Sequence, residues 1–412
     1  IVAIQDEDNN TVDVTDTVTL TATGATAVAI GGTTSMQTTN GVANFTGKGV
    51  KLTGLVGSKT LTATITSGNG FAKDTAITLT YGAATKLALT TEPTGFVNRT
   101  LYATQPVVTV QDVSGNTVAN SSISIDVTID SGDVTGTTRV GAVNGVATFA
   151  GLGKAGTIGA KTLTFSDAAG ALTVATKPFT LTHGAAHHTS MAVASTLANN
   201  TAFATQPVVT IYDQDDNVVT SGSQSSQTVT LSATGATTVA IGGSISMDAF
   251  EGVANFTGKG VKLTGLIGAK SLTATISSPG SIVATETVTI TYGAATKLAI
   301  STDAADAANG SQFGTQPVIL VQDVSGNLVA NSTVQVTPSV SNGTLDGNDV
   351  AGVTAVGGVA TFTDLGLTAS AGAKTLTFAS TGLTSVSQTI TAITGAPTQL
   401  RLDVANTLVN NT

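Results

Sequence analysis

The chain has 412 residues and a formal net charge of −9, with 10% charged residues and no Cys. Without Cys there is no disulfide framework, thiolate metal site or cysteine nucleophile. The acidic balance leaves no basic surface for a phosphate backbone, so the composition argues against a nucleic-acid partner. An apolar content of 41% with so little charge indicates folded domains rather than a disordered chain.

Two kinds of repeat, A and B, alternate along the chain. Residues 18–65 and 229–276 differ at only 11 of 48 positions, and DVSGNTVANSS at 112–122 returns as DVSGNLVANST at 323–333. Both pairs are separated by 211 residues, and short seams that start with Gly-Ala mark the boundaries. The predicted domains are A1 (1–81), B1 (82–183), A2 (184–292) and B2 (293–394), followed by the first strand of a further A-type domain (395–412).

The predicted elements are all strands. Ile1 aligns with Val208, so A1 is expected to lack the opening strand of an A repeat. No segment carries apolar residues at helical spacing over three turns, and β-branched Thr and Val dominate. In B1 the predicted strands are 85–91, 106–111, 122–129, 145–150, 160–166 and 172–182, and A2 and B2 repeat the patterns of A1 and B1.

About seven short strands in ~100 residues, separated by regular turns, are typical of a two-layer immunoglobulin-like sandwich. We therefore predict an all-β chain, built as a tandem array of immunoglobulin-like β-sandwich domains in A-B-A-B order. Each interior is expected to hold Val, Leu, Ile and Ala and one central Phe, namely Phe45, Phe149, Phe256 and Phe362.

The B repeats carry a pattern that resembles a known family. Gln105-Pro106-Val107, residues 112–118 (Asp-x-x-Gly-Asn-x-Val) and residues 145–149 (Gly-Val-Ala-x-Phe) have copies at Gln316, Asp323 and Gly358. This order resembles the bacterial immunoglobulin-like repeats of surface proteins, the invasin and intimin type. The resemblance implies the same fold along the whole chain and a surface location. The lectin-like tip and the Cys residues of those stalks have no counterpart here. The Thr-rich, acidic, Cys-free composition also resembles that of S-layer proteins.

One local motif could bind a metal. Asp-x-Asp-x-Asn places oxygen ligands at alternate positions, as in the first half of an EF-hand loop, and predicts Ca²⁺ as a possible cofactor. The Gly and Glu of the second half are absent, and the corresponding B segments read as hairpin turns with Asx hydrogen bonds. A plain turn and a calcium site therefore both stay open at Asp6, Asp8, Asn10, Asp213, Asp215 and Asn217.

No other motif indicates chemistry. The chain lacks a Gly-x-Ser-x-Gly elbow, and its three histidines lie together at one seam, where a solvated linker and a transition-metal site are the alternatives. We therefore expect no enzyme activity. Among ten Asn-x-Ser/Thr sequons are those starting at Asn98, Asn199 and Asn309, and for these glycosylation and chance composition both stay open.

The expected function is structural. Serial sandwiches suit an extracellular stalk, fibre or S-layer scaffold whose partners are copies of itself. The alternatives are an adhesin that binds through its loops or a missing tip, and a stalk that carries an enzyme elsewhere. No apolar run approaches 18 residues, so no membrane-spanning segment is predicted. Residues 395–412 either complete the A1 sandwich of another subunit by strand addition or show that the sequence is a window from a longer array.

Overall fold

The structure is a computed structural model that describes residues 1–67, 70–277 and 280–403. Within these ranges the regular structure is β-strand, apart from one 3₁₀ turn at Asn348–Ala351, which confirms the all-β prediction. The contacts divide the chain into two compact units. Unit 1 comprises Ile1–Gly184 and Asp215–Asn217, and unit 2 comprises Ala185–Gln214 and Val218–Thr412. Each unit contains two hydrophobic cores.

The A1 strands form three small sheets around the first core. The sheet orders are β4-β2-β7-β8, β1-β5 and β3-β6. Alternation of Thr with Val and Leu in β2 turns Val18 and Leu20 inward. The strands are β1 (Val2–Ala3), β2 (Thr17–Thr23), β3 (Val28–Gly31), β4 (Ser35–Gln37), β5 (Val42–Ala43), β6 (Lys51–Gly54), β7 (Gly57–Ile65) and β8 (Ala72–Leu79).

The B1 strands form a sandwich of a three-stranded and a four-stranded sheet. The sheet orders are β15-β11-β9 and β14-β12-β17-β18, with β10-β16-β13 at one end. The strands are β9 (Lys86–Thr91), β10 (Thr100–Leu101), β11 (Val107–Gln111), β12 (Ser124–Ile129), β13 (Val134–Thr135), β14 (Arg139–Gly141), β15 (Val146–Thr148), β16 (Gly153–Lys154), β17 (Gly159–Asp167) and β18 (Ala175–Leu181).

The B1 core shows why this arrangement is a sandwich. Val108 and Val110 on β11 share one buried cluster with Ile125 on β12 and Leu163 on β17, which belong to the other sheet. The ring of Phe149 meets that of Phe165 edge to face, with centroids 5.4 Å apart. Two antiparallel sheets of three and four strands that share one core are the architecture of an immunoglobulin-like domain.

The A2 strands repeat the A1 pairings and add two strands. The sheet orders are β19-β21-β25, β20-β28-β27-β22-β24 and β23-β26. The strands are β19 (His188–Ala192), β20 (Thr196–Ala198), β21 (Val208–Tyr212), β22 (Thr228–Thr234), β23 (Val239–Gly242), β24 (Ser246–Asp248), β25 (Val253–Asn255), β26 (Lys262–Gly265), β27 (Gly268–Ile276) and β28 (Ile282–Thr291).

The B2 strands follow the B1 plan. The sheet orders are β29-β32-β36, β30-β39-β38-β33-β35 and β31-β37-β34. The strands are β29 (Lys297–Thr302), β30 (Ala307–Ala308), β31 (Ser311–Gln312), β32 (Val318–Gln322), β33 (Gln335–Val340), β34 (Thr344–Asp346), β35 (Val353–Thr354), β36 (Val359–Thr361), β37 (Gly366–Thr368), β38 (Gly372–Ala379) and β39 (Val386–Ile393). The named strands pair antiparallel, except that β20 runs parallel to β28 and β30 runs parallel to β39.

Each of the four predicted central phenylalanines lies in a core of its own: Phe45, Phe149, Phe256 and Phe362. The domain boundaries drawn from the seams stay a prediction. Residues 395–403 form no strand, and residues 404–412 lie outside the described part, so the strand predicted for 395–412 is not tested here.

The two A cores differ in burial although their sequences are nearly the same. Leu61 and Ala63 are only partly buried in A1, whereas their A2 counterparts Leu272 and Ala274 are buried. In the described residues, A1 has four buried apolar core residues (Val18, Leu20, Ala43 and Phe45) and A2 has twenty. The difference arises because the A2 core includes side chains from the opening segment that precedes β21.

The two homologous phenylalanines provide a matched test of this difference. We expect Phe256→Ala to destabilise A2 by about 3–5 kcal/mol, because it leaves a closed cavity in a fully buried core. Phe45→Ala should cost clearly less, because Phe45 lines an open cleft. Hydrogen exchange with mass spectrometry on β22 and β27, and on β2 and β7, measures each loss separately. Equal losses of stability for the two variants would contradict the difference in burial between the A1 and A2 cores.

Candidate functional site at the Asx turns

Four turns of the same length contain the predicted calcium motif or its B-type counterpart. We call them the Asx turns: Asp6–Asn10, Asp112–Asn116, Asp213–Asn217 and Asp323–Asn327. An isolated antiparallel bridge closes each turn, for example between Gln322 and Leu328. The fourth residue of every turn has a positive φ, and it is Gly in the B repeats and Asn9 or Asp216 in the A repeats. These are the residue types that adopt this backbone conformation at low cost.

The first aspartate organises the turns that begin at Asp6, Asp112 and Asp323, and Asp323 is the clearest example. Its Oδ1 accepts hydrogen bonds from the backbone N–H groups of Ser325 (2.9 Å) and Asn327 (3.0 Å). Its Oδ2 accepts one from Nδ2 of Asn327 at 2.8 Å. Asp6 makes the same three contacts with Asp8 and Asn10. The carboxylate therefore satisfies donors of its own turn, as expected for Asx chemistry.

In unit 2 the turn of B2 also contacts the loop between β26 and β27 of A2. The backbone N–H of Ile267 donates to Oδ1 of Asn327 (3.0 Å), and Nδ2 of Asn327 donates to the carbonyl of Gly265 (3.0 Å). The side-chain amide of Asn327 thus pairs with one backbone N–H and one backbone carbonyl of the loop, as the backbone of a neighbouring strand would. We call such a contact, between an Asx turn and a loop that connects two strands of the preceding repeat, a joint.

Asn199 adds a second amide to this joint. Its Nδ2 donates to Oδ2 of Asp323 (2.8 Å) and to Oγ of Ser325 (2.9 Å). Its Oδ1 accepts from the backbone N–H of Gly265 at 2.9 Å. Asn199 is only 2% exposed, and Asp323 is fully buried. A buried, fully paired polar network of this kind fixes geometry, because any lost partner leaves a desolvated group unsatisfied.

The seam glycine also belongs to the joint. The backbone N–H of Gly293 donates to Oδ2 of Asp323 at 2.9 Å. A Cβ at this position would lie 2.4 Å from the carbonyl oxygen of Asn199, which is too close for any side chain. At this seam the residue is therefore Gly because two backbone segments meet there.

The joint between A1 and B1 in unit 1 has the same central hydrogen bonds. The N–H of Val56 donates to Oδ1 of Asn116 (2.8 Å), and Nδ2 of Asn116 donates to the carbonyl of Gly54 (2.9 Å). Gly82 donates its N–H to Oδ2 of Asp112 at 2.9 Å, as Gly293 does to Asp323. The N–H of Gly54 donates to Oγ of Ser114 at 3.2 Å.

The remaining predicted metal ligands are also held by protein groups. Unit 1 includes Asp215 and Asn217, and there the carboxylate of Asp215 accepts from Nη2 of Arg99 (2.6 Å) and Nδ2 of Asn98 (2.8 Å). Asn217 pairs with the backbone of Ile158 (3.1 Å) and Gly156 (3.0 Å). Asp213 is buried, with 1% of its surface exposed.

Hydrogen bonding controls the charge of these carboxylates. Burial raises the pKa of Asp323, but donation from Asn327, Gly293 and Asn199 outweighs it, so the pKa lies below the usual value. Burial likewise opposes donation from Asn116 and Gly82 at Asp112, with the same net direction of the pKa. At Asp215 the hydrogen bond from Arg99 is the main cause of a strongly lowered pKa.

The arrangement fits a cation poorly. In the described residues no group of three or more His, Cys, Asp and Glu side chains gathers in a way that could hold a metal. The Asp6 oxygens accept N–H groups of the turn, and a cation at Asp215 would compete with Arg99. At Asp6 and Asp215 a Ca²⁺ ion would have to replace these bonds, and calcium binding at the turns stays a prediction.

Sequence reasoning missed Asn199 and the loop at Gly265–Ile267 as contact residues. The available signal was position, since Asn98, Asn199 and Asn309 recur at corresponding places as sequons. The Oδ1 atoms of Asn98 and Asn309 accept the backbone N–H groups of Gly156 and Ala369, both at 2.9 Å. Because Asn98 and Asn199 are buried and their Nδ2 atoms donate hydrogen bonds, these two sequons do not present a free amide for a glycan.

No protein-family model matches the chain, and no curated protein matches it in sequence. Solved structures do show weak likeness. Invasin, described as a bacterial integrin-binding protein, is 15% identical with a TM-score of 0.31, over 95% of this chain and 74% of that one. The FdeC adhesin of Escherichia coli is 15% identical with a TM-score of 0.31, over 77% of this chain and 100% of that one.

A protocadherin gamma B7 fragment has a TM-score of 0.32 at 11% identity, over 92% of each chain. At these scores the likeness carries no argument about function, and the sandwich assignment rests on the strand pairings and shared cores. Within residues 1–67, 70–277 and 280–403, no helix is long and apolar enough to cross a membrane.

Removing one joint amide tests its role. We expect Asn327→Ala to lower the free energy of opening of this joint by about 1–3 kcal/mol, because the N–H of Ile267 and the carbonyl of Gly265 lose their partner. Hydrogen exchange of the β26–β27 loop and of the turn measures the change. The exposed Asn331→Ala in the same repeat is the matched control and should have no effect. Unchanged hydrogen exchange of the β26–β27 loop in the Asn327→Ala variant would refute the role of this amide in the joint.

Acid should weaken the same joint. The folded-state pKa of Asp323 is lowered, so its contribution is complete above the unfolded-state pKa of about 4 and is lost as the pH falls through the folded value. Thermal unfolding from pH 7 to pH 3 should therefore show falling stability below about pH 4. Asp323→Asn should be less stable at pH 7 and show a flatter profile. Parallel profiles for the two proteins would contradict this assignment.

Chelation tests the calcium prediction. If the A-repeat turns bind Ca²⁺, a molar excess of EDTA lowers the melting temperature and added Ca²⁺ restores it, because a ligand of the folded state stabilises it. Magnesium in place of calcium is the control. A melting curve that does not move with EDTA would reject calcium at Asp6, Asp8 and Asn10 and at Asp213, Asp215 and Asn217.

Proposed function

We propose that the chain is an extracellular structural protein whose serial immunoglobulin-like domains form a cell-surface stalk, fibre or S-layer scaffold. The observation that carries the proposal is the recurrence of one joint. The A1–B1 and A2–B2 contacts use the same atoms at an offset of 211 residues: the Asn116 amide pairs with Gly54 and Val56, and the Asn327 amide pairs with Gly265 and Ile267. A transferable joint lets an array change in length without a change of fold.

The chemistry of the chain supports this role. The joints contain buried, hydrogen-bonded amides and carboxylates, and no disulfide contributes, since the chain has no Cys. Such joints do not depend on the redox state of the surroundings. The strands present Thr on their exposed faces, which keeps a surface polar with only 10% charged residues. The proposal assigns no catalysis to the chain, and its partners are further copies of the chain.

One observation favours an adhesin as the second candidate. Three repeats expose a large apolar side chain at the tip of the hairpin that precedes the Gly-Val-Ala strand: Val143 (71% exposed), Phe250 (75%) and Val356 (80%). Exposed apolar residues on loop tips are suited to contact a partner. A purely structural role does not explain why apolar side chains are exposed there.

Localisation and deletion separate these functions. Antibodies raised against the chain should label the outside of intact cells in immunogold electron microscopy. Deletion should remove a lattice or fibre from the envelope if the role is structural. A retained envelope pattern with lost attachment would favour the adhesin, and labelling confined to the cell interior would reject both.

A further inference from the structure

A polar cavity lies at one end of B1, beside the short sheet β10-β16-β13. Its volume of about 420 Å³ is in the range of small-ligand sites. The lining contains two amines, three hydroxyl groups and one carboxylate, from Ser131, Asp133, Thr135, Lys154, Thr157 and Lys161. The cavity therefore offers charged and polar contacts rather than an apolar surface.

Lys154 stands where two other repeats have a buried leucine. Lys154, Leu263 and Leu367 each lie two residues before the loop N–H that donates to the sequon asparagine of the same repeat, at 2.9 Å in every case. Leu263 and Leu367 are fully buried in their cores, and Lys154 is only 5% exposed. Burial of an ammonium group costs free energy that burial of a leucine does not, unless the charge is paired.

The ammonium group of Lys154 has a single protein partner. Its Nζ donates to the carbonyl of Ala155, and within the described residues it forms no ion pair. A lysine amine has three N–H donors, so two donors and the positive charge stay available to a ligand. A Cβ at Gly132 would lie 2.7 Å from this Nζ, and one at Gly156 would lie 3.6 Å from it. Both glycines line the cavity, so neither covers the amine with a side chain.

Lys161 brings a second amine to the cavity. It belongs to the inward row of β17, because Leu163 and Phe165 at alternate positions of that strand are fully buried. The corresponding lysines of the A repeats, Lys59 and Lys270, each donate to a threonine hydroxyl. In the part of the chain that the structure describes, Nζ of Lys161 donates to no protein group. Two amines of one cavity are therefore without an anionic partner.

Asp133 restricts the class of anion that fits. Its side chain is exposed in the same lining, and among the described residues it pairs with neither lysine. Two ammonium groups against one carboxylate leave a net positive charge, which attracts a singly charged carboxylate. Sulfate carries twice that charge and has no hydroxyl group to donate to Asp133. A carboxylate that is attached to several hydroxyl groups satisfies both the lysines and Asp133.

We propose that the B1 cavity binds a uronic acid, a sugar that carries a carboxylate. The carboxylate accepts from Nζ of Lys154 and of Lys161, and ring hydroxyl groups donate to Asp133 and pair with the hydroxyl groups of Thr135 and Thr157. Affinity arises because the ligand supplies the missing counter-charge to a buried cation. The site lies within one repeat, so it goes beyond the proposed structural function and does not depend on it.

Isothermal titration of the full chain with sodium galacturonate tests the site. We expect saturable 1:1 binding, and none for galactose, which has the same ring hydroxyl groups without the carboxylate, or for sodium sulfate. With galacturonate, hydrogen exchange should slow at residues 131–135 and 153–157 and stay unchanged at 342–346, the aligned segment of B2. Absence of saturable galacturonate binding, or equal binding of galactose or sulfate, would overturn the proposal.

The variant Lys154→Leu separates binding from folding. Leucine is the residue of A2 and B2 at this position, so the melting temperature should stay the same or rise, while galacturonate affinity falls about 10-fold or more. Lys161→Gln is the second variant and should weaken binding as well. Lys177→Gln is the matched control, because this B1 lysine lies outside the cavity lining and pairs with Glu92, and it should bind like the parent chain. Parent-like binding by both cavity variants would overturn the proposal.

A tetramer of galacturonate identifies the source of the ligand. Tighter binding of the tetramer than of the monomer supports a polysaccharide, and equal affinities support a free sugar acid. In either case Lys154→Leu should lower the affinity. A tetramer that binds this variant as tightly as the parent chain would overturn the assignment of the cavity.

Discussion

The contact between the A and B repeats of each unit depends on one side-chain amide at the end of the B-repeat Asx turn. Asn116 and Asn327 each donate to one carbonyl and accept from one N–H of a loop in the preceding repeat, while the first aspartate of the turn holds the amide in place. These groups are buried, so each must be paired. That requirement restricts the turn to Asp at its first position and Asn at its fifth, and it fixes how the A repeat meets the B repeat within each unit.

The same requirement explains why two repeats with different sequences share one array. The A and B repeats keep the Asx turn and the loop before the long hairpin strand, and differ in the strands between. The A1–B1 and A2–B2 joints are chemically equivalent because the contacts use backbone groups, which every loop sequence provides. The seam glycine follows from the same packing, since Gly293 has no room for a Cβ beside Asn199.

Much of the fold was predictable, and the failures have physical reasons. Period-two alternation and regular turns identified strands and core residues such as Phe149 and Phe362, because burial on one sheet face is a local pattern. The joint was not predictable, because Asn199 and Asp323 are 124 residues apart in sequence and no local pattern connects them. The Asp-x-Asp-x-Asn motif was ambiguous for another reason. Oxygens that accept N–H groups and oxygens that bind a cation have the same spacing in sequence.

The amide exchange of Val56 and Ile267 in the unmodified chain tests the central claim most directly. Both residues lie in loops between strands, with side chains 44% and 55% exposed, and their N–H groups donate only to Asn116 and Asn327 in the contacts described above. If the joints are closed, both amides exchange at least about 100-fold more slowly than the intrinsic rate of an open loop. Exchange at the intrinsic rate would contradict the account.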